Sequence, residues 1–268
     1  MNRKVVVSLT VLTVGALVCA WLGLAIYAKT IIAAVASEDS SNVTVHYIDV
    51  GQGDSIFIDT SSKDVLIDGG STSAGSGVLD YLDNLNITRI HLMIATHVHA
   101  DHIGGLVAVL DSAMNVDEIL INNQTYTSVT YTNFMNLAQS HTVTVAQRDQ
   151  TFLLTETVNL TVFNPVQPLE FTDKKDNSVV IKLQVDNTGF LFTGDAEEDA
   201  EQSMLDDDLD LQCDVLKVGH HGSQTSTTQP FLDEVAPSYA IISAGQDNTY
   251  GHPHNETIQK LLAEDVTI

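Results

Sequence analysis

The chain has 268 residues, with 35 acidic against 11 basic side chains and a formal net charge of -24. That length fits one large domain or two small ones. So acidic a surface argues against attraction to nucleic acid or anionic lipid at long range, although bound divalent cations would invert the sign locally.

Asn2-Arg3-Lys4 precedes an uncharged run from Val5 to Ala28. A helix of that length spans a bilayer, and its positive flank argues for a cytoplasmic N-terminus and an exported remainder. Ala34-Val35-Ala36 before Ser37 resembles a signal-peptidase site. Residues 1–36 are therefore expected to be a membrane-spanning anchor or a cleaved signal. The rest would then lie on the extracellular face of the cytoplasmic membrane or be secreted. Those 36 residues hold Arg3, Lys4 and Lys29 and no acid, leaving 8 bases against 35 acids in the remainder. Cys19 in the apolar run and Cys213 near a strand start provide no disulfide framework.

Residues 37–42 read as a polar linker, and 43–268 as one domain. Strand patterns follow at Val43–Val50, Ser55–Asp59 and Val65–Asp68, with Gly51-Gln52-Gly53 and Gly69-Gly70 as turns. Val78, Leu79, Leu82 and Leu85 recur at helical spacing. Ile90–Thr96 reads as a buried strand, Ile103–Leu110 as a helix, Val116–Ile121 as a strand and Tyr131–Ser140 as a helix. Further strands are expected at Thr142–Ala146, Thr151–Leu154, Val158–Phe163, Ser178–Val185 and Gly189–Thr193. Ala196–Leu205 reads as a helix, Asp214–Val218 and Tyr239–Ser243 as strands, and Glu256–Ala263 as a helix. Asp265–Ile268 reads as a strand just beginning, as though the domain continued. Two sheets with helices on their outer faces would bury this alternation in a layered α/β domain.

The chemistry concentrates at strand ends. Thr96-His97-Val98-His99-Ala100-Asp101-His102 places three imidazoles and a carboxylate directly after an apolar strand. Imidazole is the commonest ligand for zinc-like metals, and carboxylate suits both Zn and harder ions such as Mn. On an extended segment His97, His99 and Asp101 share one side and His102 the other, a geometry suited to two adjacent metals. Asp195 follows a strand and Gly194, where it can reach a metal or cap the next helix. Gly219-His220-His221-Gly222-Ser223 ends another strand. His220 is preferred there as ligand, with His221 behind it or at the substrate, and the reverse order stays open. Asp68 can accept the second N–H of a ligand histidine or simply form a turn. Asp49 can play either part. His252 can contact substrate, whereas His254 reads as a solvated loop residue. His46, His91 and His141 read as structural.

These residues resemble the metallo-β-lactamase superfamily through the His-x-His-x-Asp-His signature at His97, His99, Asp101 and His102. The closer likeness is to the hydrolase domain of ComEC-type competence proteins and related secreted hydrolases. It is carried by Asp49-Val50-Gly51-Gln52-Gly53-Asp54, Asp176-Asn177-Ser178-Val179-Val180, Thr193-Gly194-Asp195, His220-His221-Gly222-Ser223 and Tyr250-Gly251-His252-Pro253. The resemblance implies an αββα sandwich with a binuclear metal site between the sheets. One departure is the further ligand histidine of the superfamily. His141 alone falls in that interval, in the wrong context, and the likeness puts Asn177 and Ser178 near the vacant position. Another is that ComEC-type domains often carry aspartate where His99 stands.

The implied activity is an exported, metal-dependent phosphodiesterase or nuclease-like hydrolase holding two divalent ions, Zn or Mn. His97, His99 and Asp195 would hold one ion, and Asp101, His102, Asp195 and His220 the other. A water shared by the ions would attack phosphorus, with Asp101, His221 and His252 as catalytic candidates. Asp49, Asp68, Asn177, Ser178 and Ser223 are expected around the ligands or substrate. The substrate would carry a phosphodiester, as a small molecule, cell-wall polymer or DNA, and no protein partner is expected. Alternatives are a lactone or lactam hydrolase, attacking carbon in an ester or amide, and a non-catalytic metal-binding surface module.

Overall fold

Period-two burial organises the strands of the computed structural model, which describes residues 42–268. The expected anchor or signal at 1–36 lies outside the described residues. The first sheet runs in chain order: β1 (Thr44–Tyr47), β2 (Ile56–Asp59), β3 (Val65–Ile67), β4 (Arg89–Ala95), β5 (Asn115–Ile121) and β6 (Thr142–Val145). Its first three strands pair antiparallel, and β3 to β6 pair parallel. The second sheet comprises β7 (Thr151–Leu153), β8 (Val158–Asn164), β9 (Val180–Val185), β10 (Thr188–Phe192), β11 (Val215–Lys217) and β12 (Tyr239–Ile241), again neighbours in chain order. It repeats the plan, antiparallel through β10 and parallel from β10 to β12.

Three apolar layers follow from this. Ile56, Ile58, Ile67, Leu92 and Ile94 of the first sheet interdigitate with Leu160, Val162, Ile181, Leu183 and Phe192 of the second. Phe192 is 1% exposed, so truncation to alanine would cost roughly 3–5 kcal/mol. The opposite face of β4, through Met93 and Ala95, packs under α1 (Gly75–Asn84), α2 (Ala100–Leu110) and α3 (Val129–Ala138). Leu191 and Leu216 of the second sheet pack under α4 (Glu198–Asp206), α5 (Gln229–Val235) and α6 (Asn255–Ala263). The order of layers is helix, sheet, sheet, helix. Among the described residues, no helix is long and apolar enough to cross a membrane.

Three local expectations change. Helix α2 begins at Ala100, so Asp101 and His102 lie in its first turn instead of on an extended segment. Strand β9 starts at Val180, leaving Asn177 and Ser178 in the preceding loop. Helix α5 was not expected; it is only 7 residues long, too short to show a helical period. At the C-terminal end, Thr267 forms an isolated parallel bridge with Tyr239.

Candidate metal centre

The parallel strands β3, β4, β10 and β11 deliver their C-terminal ends to one edge of the sandwich, and each end carries polar residues. After β4, His99 stays extended (φ -74, ψ 150) and α2 begins, so the chain turns within the motif. Asp101 then sits where a helix N-terminus favours an anion. Helix α2 is pressed against the turn after β3. The Gly105 N–H donates to the Gly70 carbonyl at 2.9 Å. A Cβ on Gly105 would lie 1.8 Å from the Gly69 carbonyl oxygen, so only glycine permits this approach. The contact brings Asp68 against His102. The Asp68 carboxylate accepts from the Thr96 N–H (2.9 Å) and hydroxyl (2.7 Å) and lies 2.8 Å from His102 Nδ1.

The other half is built on left-handed backbone. His220 and His221 have φ of 45° and 57°, a conformation costing about 1–2 kcal/mol per residue outside glycine. Strain of this kind clusters at functional sites. It separates the adjacent rings. His221 turns inward, with Nδ1 2.9 Å from the Ser243 carbonyl and Nε2 3.4 Å from both Asp195 Oδ1 and Asp101 Oδ2. His220 turns outward, with Nδ1 2.7 Å from Glu197 Oε1 and Nε2 3.9 Å from Asp195. The geometry thus favours His221 over the preferred His220 as the ligand of this pair. Ser178 Oγ accepts from the Asp195 N–H at 3.2 Å, bracing that carboxylate.

Two groups of metal-ligand type converge. One atom each from Asp54, His102, Asp195 and His221 lies within 4.8 Å of the others, and all four residues are buried. His97, His99 and Asp195 form a second group by the same measure, with His99 half-buried. Asp195 is common to both. The donor set fits a divalent cation on one observation: Asp54 Oδ1, His102 Nε2, Asp195 Oδ1 and His221 Nε2 are all buried with no well-formed hydrogen bond, and they face one another, His102 Nε2 standing 3.2 Å and His221 Nε2 3.4 Å from Asp195 Oδ1. Orphaned atoms of this kind are costly unless something binds them. A third acidic cluster, Asp173, Asp176 and Glu197, is already occupied by its neighbours. Asp176 accepts the N–H groups of Glu197 and Ala200 at the start of α4, and Glu197 holds Lys175 at 2.8 Å.

Charge follows the same division. Burial pushes the Asp195 carboxyl up, but the imidazoles of His102, His221 and His97 outweigh it and hold it well below the usual carboxylate range. Burial opposes charge on His221, yet Asp195, Asp101 and Asp54 raise it to about 9. His102 is likewise raised, by Asp195 and Asp68 against its own burial. Burial and the neighbouring His102 hold His97 well below its ordinary value. Asp54, despite full burial, is drawn down to about 2, chiefly by Lys217, whose ammonium lies 2.6 Å away.

Asp49 is exposed and accepts the Gly51 N–H, a turn role. Asn177 is buried, its amide group donating to the Phe171 and Asp173 carbonyls and its Oδ1 unpaired. Ser223 bonds Thr225 and, through its carbonyl, Thr257, so it joins loops and touches neither group. The His252 ring lies 5.2 Å from His220 and 6.0 Å from His221. Burial and the neighbouring imidazoles lower it to about 4. His254 accepts the Gln224 N–H, His91 accepts that of Asp64, and His141 and His46 meet Val116 and Tyr81. Asp54, Lys217 and Glu197 were not singled out. Asp54 is carried to the site by a tertiary contact, since only glycine at 53 leaves room for the Asp101 carbonyl oxygen, which a Cβ there would meet at 2.2 Å.

The model of the metallo-beta-lactamase superfamily matches residues 48–157 and 167–246. The chain belongs to this superfamily. Among curated relatives it is 30% identical over 85% of its length to ComE operon protein 3 of Bacillus subtilis, and 32% identical over 81% to Recombination protein 2 of Haemophilus influenzae. Competence protein ComA of Neisseria gonorrhoeae is 28% identical over 86%. These are ComEC-type competence proteins. The chain spans only 32%, 26% and 31% of their respective lengths. In structure it resembles the metallo-beta-lactamase fold protein YhfI of Bacillus subtilis, with TM-score 0.50 and 13% identity over 85% of this chain and 95% of that one. It also resembles PqqB of Methylobacterium extorquens, with TM-score 0.51 and 10% identity over 81% and 84%. At these identities the likeness concerns the fold. The family and the Asp/His cluster together support a metal-dependent, hydrolase-like role.

Proposed function

We propose that this chain is a divalent-metal-dependent phosphodiesterase whose two ligand groups share Asp195. The four orphaned atoms of Asp54, His102, Asp195 and His221 carry the reading. Each imidazole is oriented from behind. His221 can only donate from Nδ1 to the Ser243 carbonyl, and Asp68 takes the corresponding proton of His102. A metal would displace the Nε2 proton that the surrounding carboxylates otherwise stabilise on each ring, leaving both Nε2 lone pairs directed at it, the arrangement by which ligand histidines are fixed elsewhere. His97 and His99, with Asp195, would hold a second ion. Zn or Mn bound there supplies Lewis acidity that activates water and neutralises charge on phosphoryl oxygens. Lys217 keeps Asp54 ionised and aligned. Asp101, 33% exposed at its side chain, is pushed up by its burial but held well below the usual carboxylate range by His221 and His102, so it stays ionised and can orient a water by accepting its hydrogen bond. His252, uncharged at neutral pH, can position a substrate oxygen.

The similarity to competence proteins supports a phosphodiester as the class attacked, and the apolar run before Ala28 supports placement outside the cytoplasmic membrane. The test is hydrolysis of bis(4-nitrophenyl) phosphate by the full chain, stripped with chelator and reloaded with Mn or Zn. Metal-dependent turnover that disappears in Asp195→Asn is expected. Equal turnover without metal, or in that variant, would overturn the reading.

A further inference from the structure

The described part of this acidic chain holds 8 Lys and Arg side chains. Five lie within salt-bridge distance of a carboxylate: Arg89, Arg148, Lys175, Lys182 and Lys217. Lys63 and Lys260 instead hold backbone carbonyls. Lys174 is the one described cation with neither kind of oxygen partner. Its ammonium lies over the Tyr126 ring, 5.4 Å from the centroid. Tyr126 in turn meets the His99 ring edge-on at 5.9 Å, and His99 belongs to the open ligand group with His97 and Asp195. Lys174 and Tyr126 are both half-buried. A cation–π contact locates an ammonium without neutralising it. With 35 acids in the chain, a positive charge left unpaired at the rim of the ligand groups is available to an incoming anion.

We infer that Lys174, held by Tyr126, binds a second phosphate next to the scissile one, so that the site prefers chains of phosphodiesters to single diesters. The inference rests on the phosphodiesterase reading and names a specificity determinant for it. The ring fixes where the ammonium stands, and the ammonium attracts a charge displaced from the reacting phosphorus. Binding by one such contact follows the salt dependence of phosphate recognition.

The test uses the full chain loaded with Mn and two fluorescein-labelled probes, a thymidylate dimer and a tetramer with phosphorothioate linkages, which keep their charges and resist cleavage. The wild-type chain is expected to bind the tetramer more tightly. Lys174→Gln should weaken tetramer binding about fivefold, and lower the slope of log affinity against log salt by about 0.7, as for one lost single-strand phosphate contact. Dimer binding, metal content and turnover of bis(4-nitrophenyl) phosphate should stay unchanged. Tyr126→Leu should shift the tetramer in the same direction by less. Equal loss for dimer and tetramer, an unchanged salt slope, or no tetramer preference in the wild type would overturn the inference. A wild-type chain that binds the tetramer through Lys174 yet turns over no diester would overturn the phosphodiesterase reading alone.

Discussion

The two ligand groups share a carboxylate but differ in enclosure. Asp54, His102, Asp195 and His221 are all buried, and the imidazoles are braced by Asp68 and the Ser243 carbonyl. His97, His99 and Asp195 make a three-residue group whose His99 is half-buried and flanked by Tyr126. The first group is closed and preorganised; the second is more open, and a metal held there would need water or substrate to complete its coordination. A closed ligand set holds a metal, and an open one leaves coordination for reactants. The superfamily's further histidine is absent from the open side, where Ser178 instead braces the Asp195 backbone.

That contrast can be broken most severely at the shared residue. Asp195→Asn should lower diester hydrolysis by at least about 10³-fold, since both groups lose a ligand worth several kcal/mol of charge stabilisation. Steady-state rates at saturating metal measure it. The adjacent histidines sharpen the contrast next. His221→Ala should cost more than roughly 100-fold in metal affinity, beyond the range of residues that support a ligand from behind, and His220→Ala, whose ring is held outward by Glu197, should cost far less. The reverse ranking in a chelator competition would restore His220 as the ligand. Asp68→Ala should weaken metal binding in the closed group by about 10- to 100-fold and the open group by less, since Asp68 reaches His97 only through the Thr96 hydroxyl. The smallest effect is a control remote from both groups. Glu201 is 1% exposed and accepts the Thr227 and Thr228 N–H groups before α5. Burial raises its pKa from 4.5 to about 7. A raised carboxyl favours the fold while protonated, so that stability is present below pH 4.5 and is lost as pH rises through about 7. The loss amounts to roughly 3 kcal/mol. Glu201→Gln should flatten melting temperature against pH across that window without changing metal affinity.

Much of this arrangement was legible from strand-end chemistry. His97, His99, Asp101 and His102 fall within one turn of chain after a continuous apolar strand, so their proximity needs no tertiary information. Asp68 and Asp195 also follow apolar strands, and parallel pairing of β3 with β4 and of β10 with β11 brings those ends together. The assignment within His220-His221 was not legible, because positive φ at both residues decides which ring points inward. Asp54 was obscured because its closeness to His221 comes from packing of Gly53 on α2, far along the chain. Asp49, in the same segment, offered an equally plausible carboxylate and proved to serve a turn. The extended reading of the first motif failed for a related reason, since the Gly104-Gly105 approach to the β3 turn starts the helix at Ala100.

The most direct measurement is a calorimetric titration of Mn or Zn into the metal-free full chain, its His99→Ala variant and its Asp195→Asn variant. Two binding events of unequal affinity are expected in the wild type. The weaker should vanish in His99→Ala, and both should be lost or severely weakened in Asp195→Asn. Absence of binding to the wild type, or wild-type binding by Asp195→Asn, would contradict a metal centre built around that carboxylate.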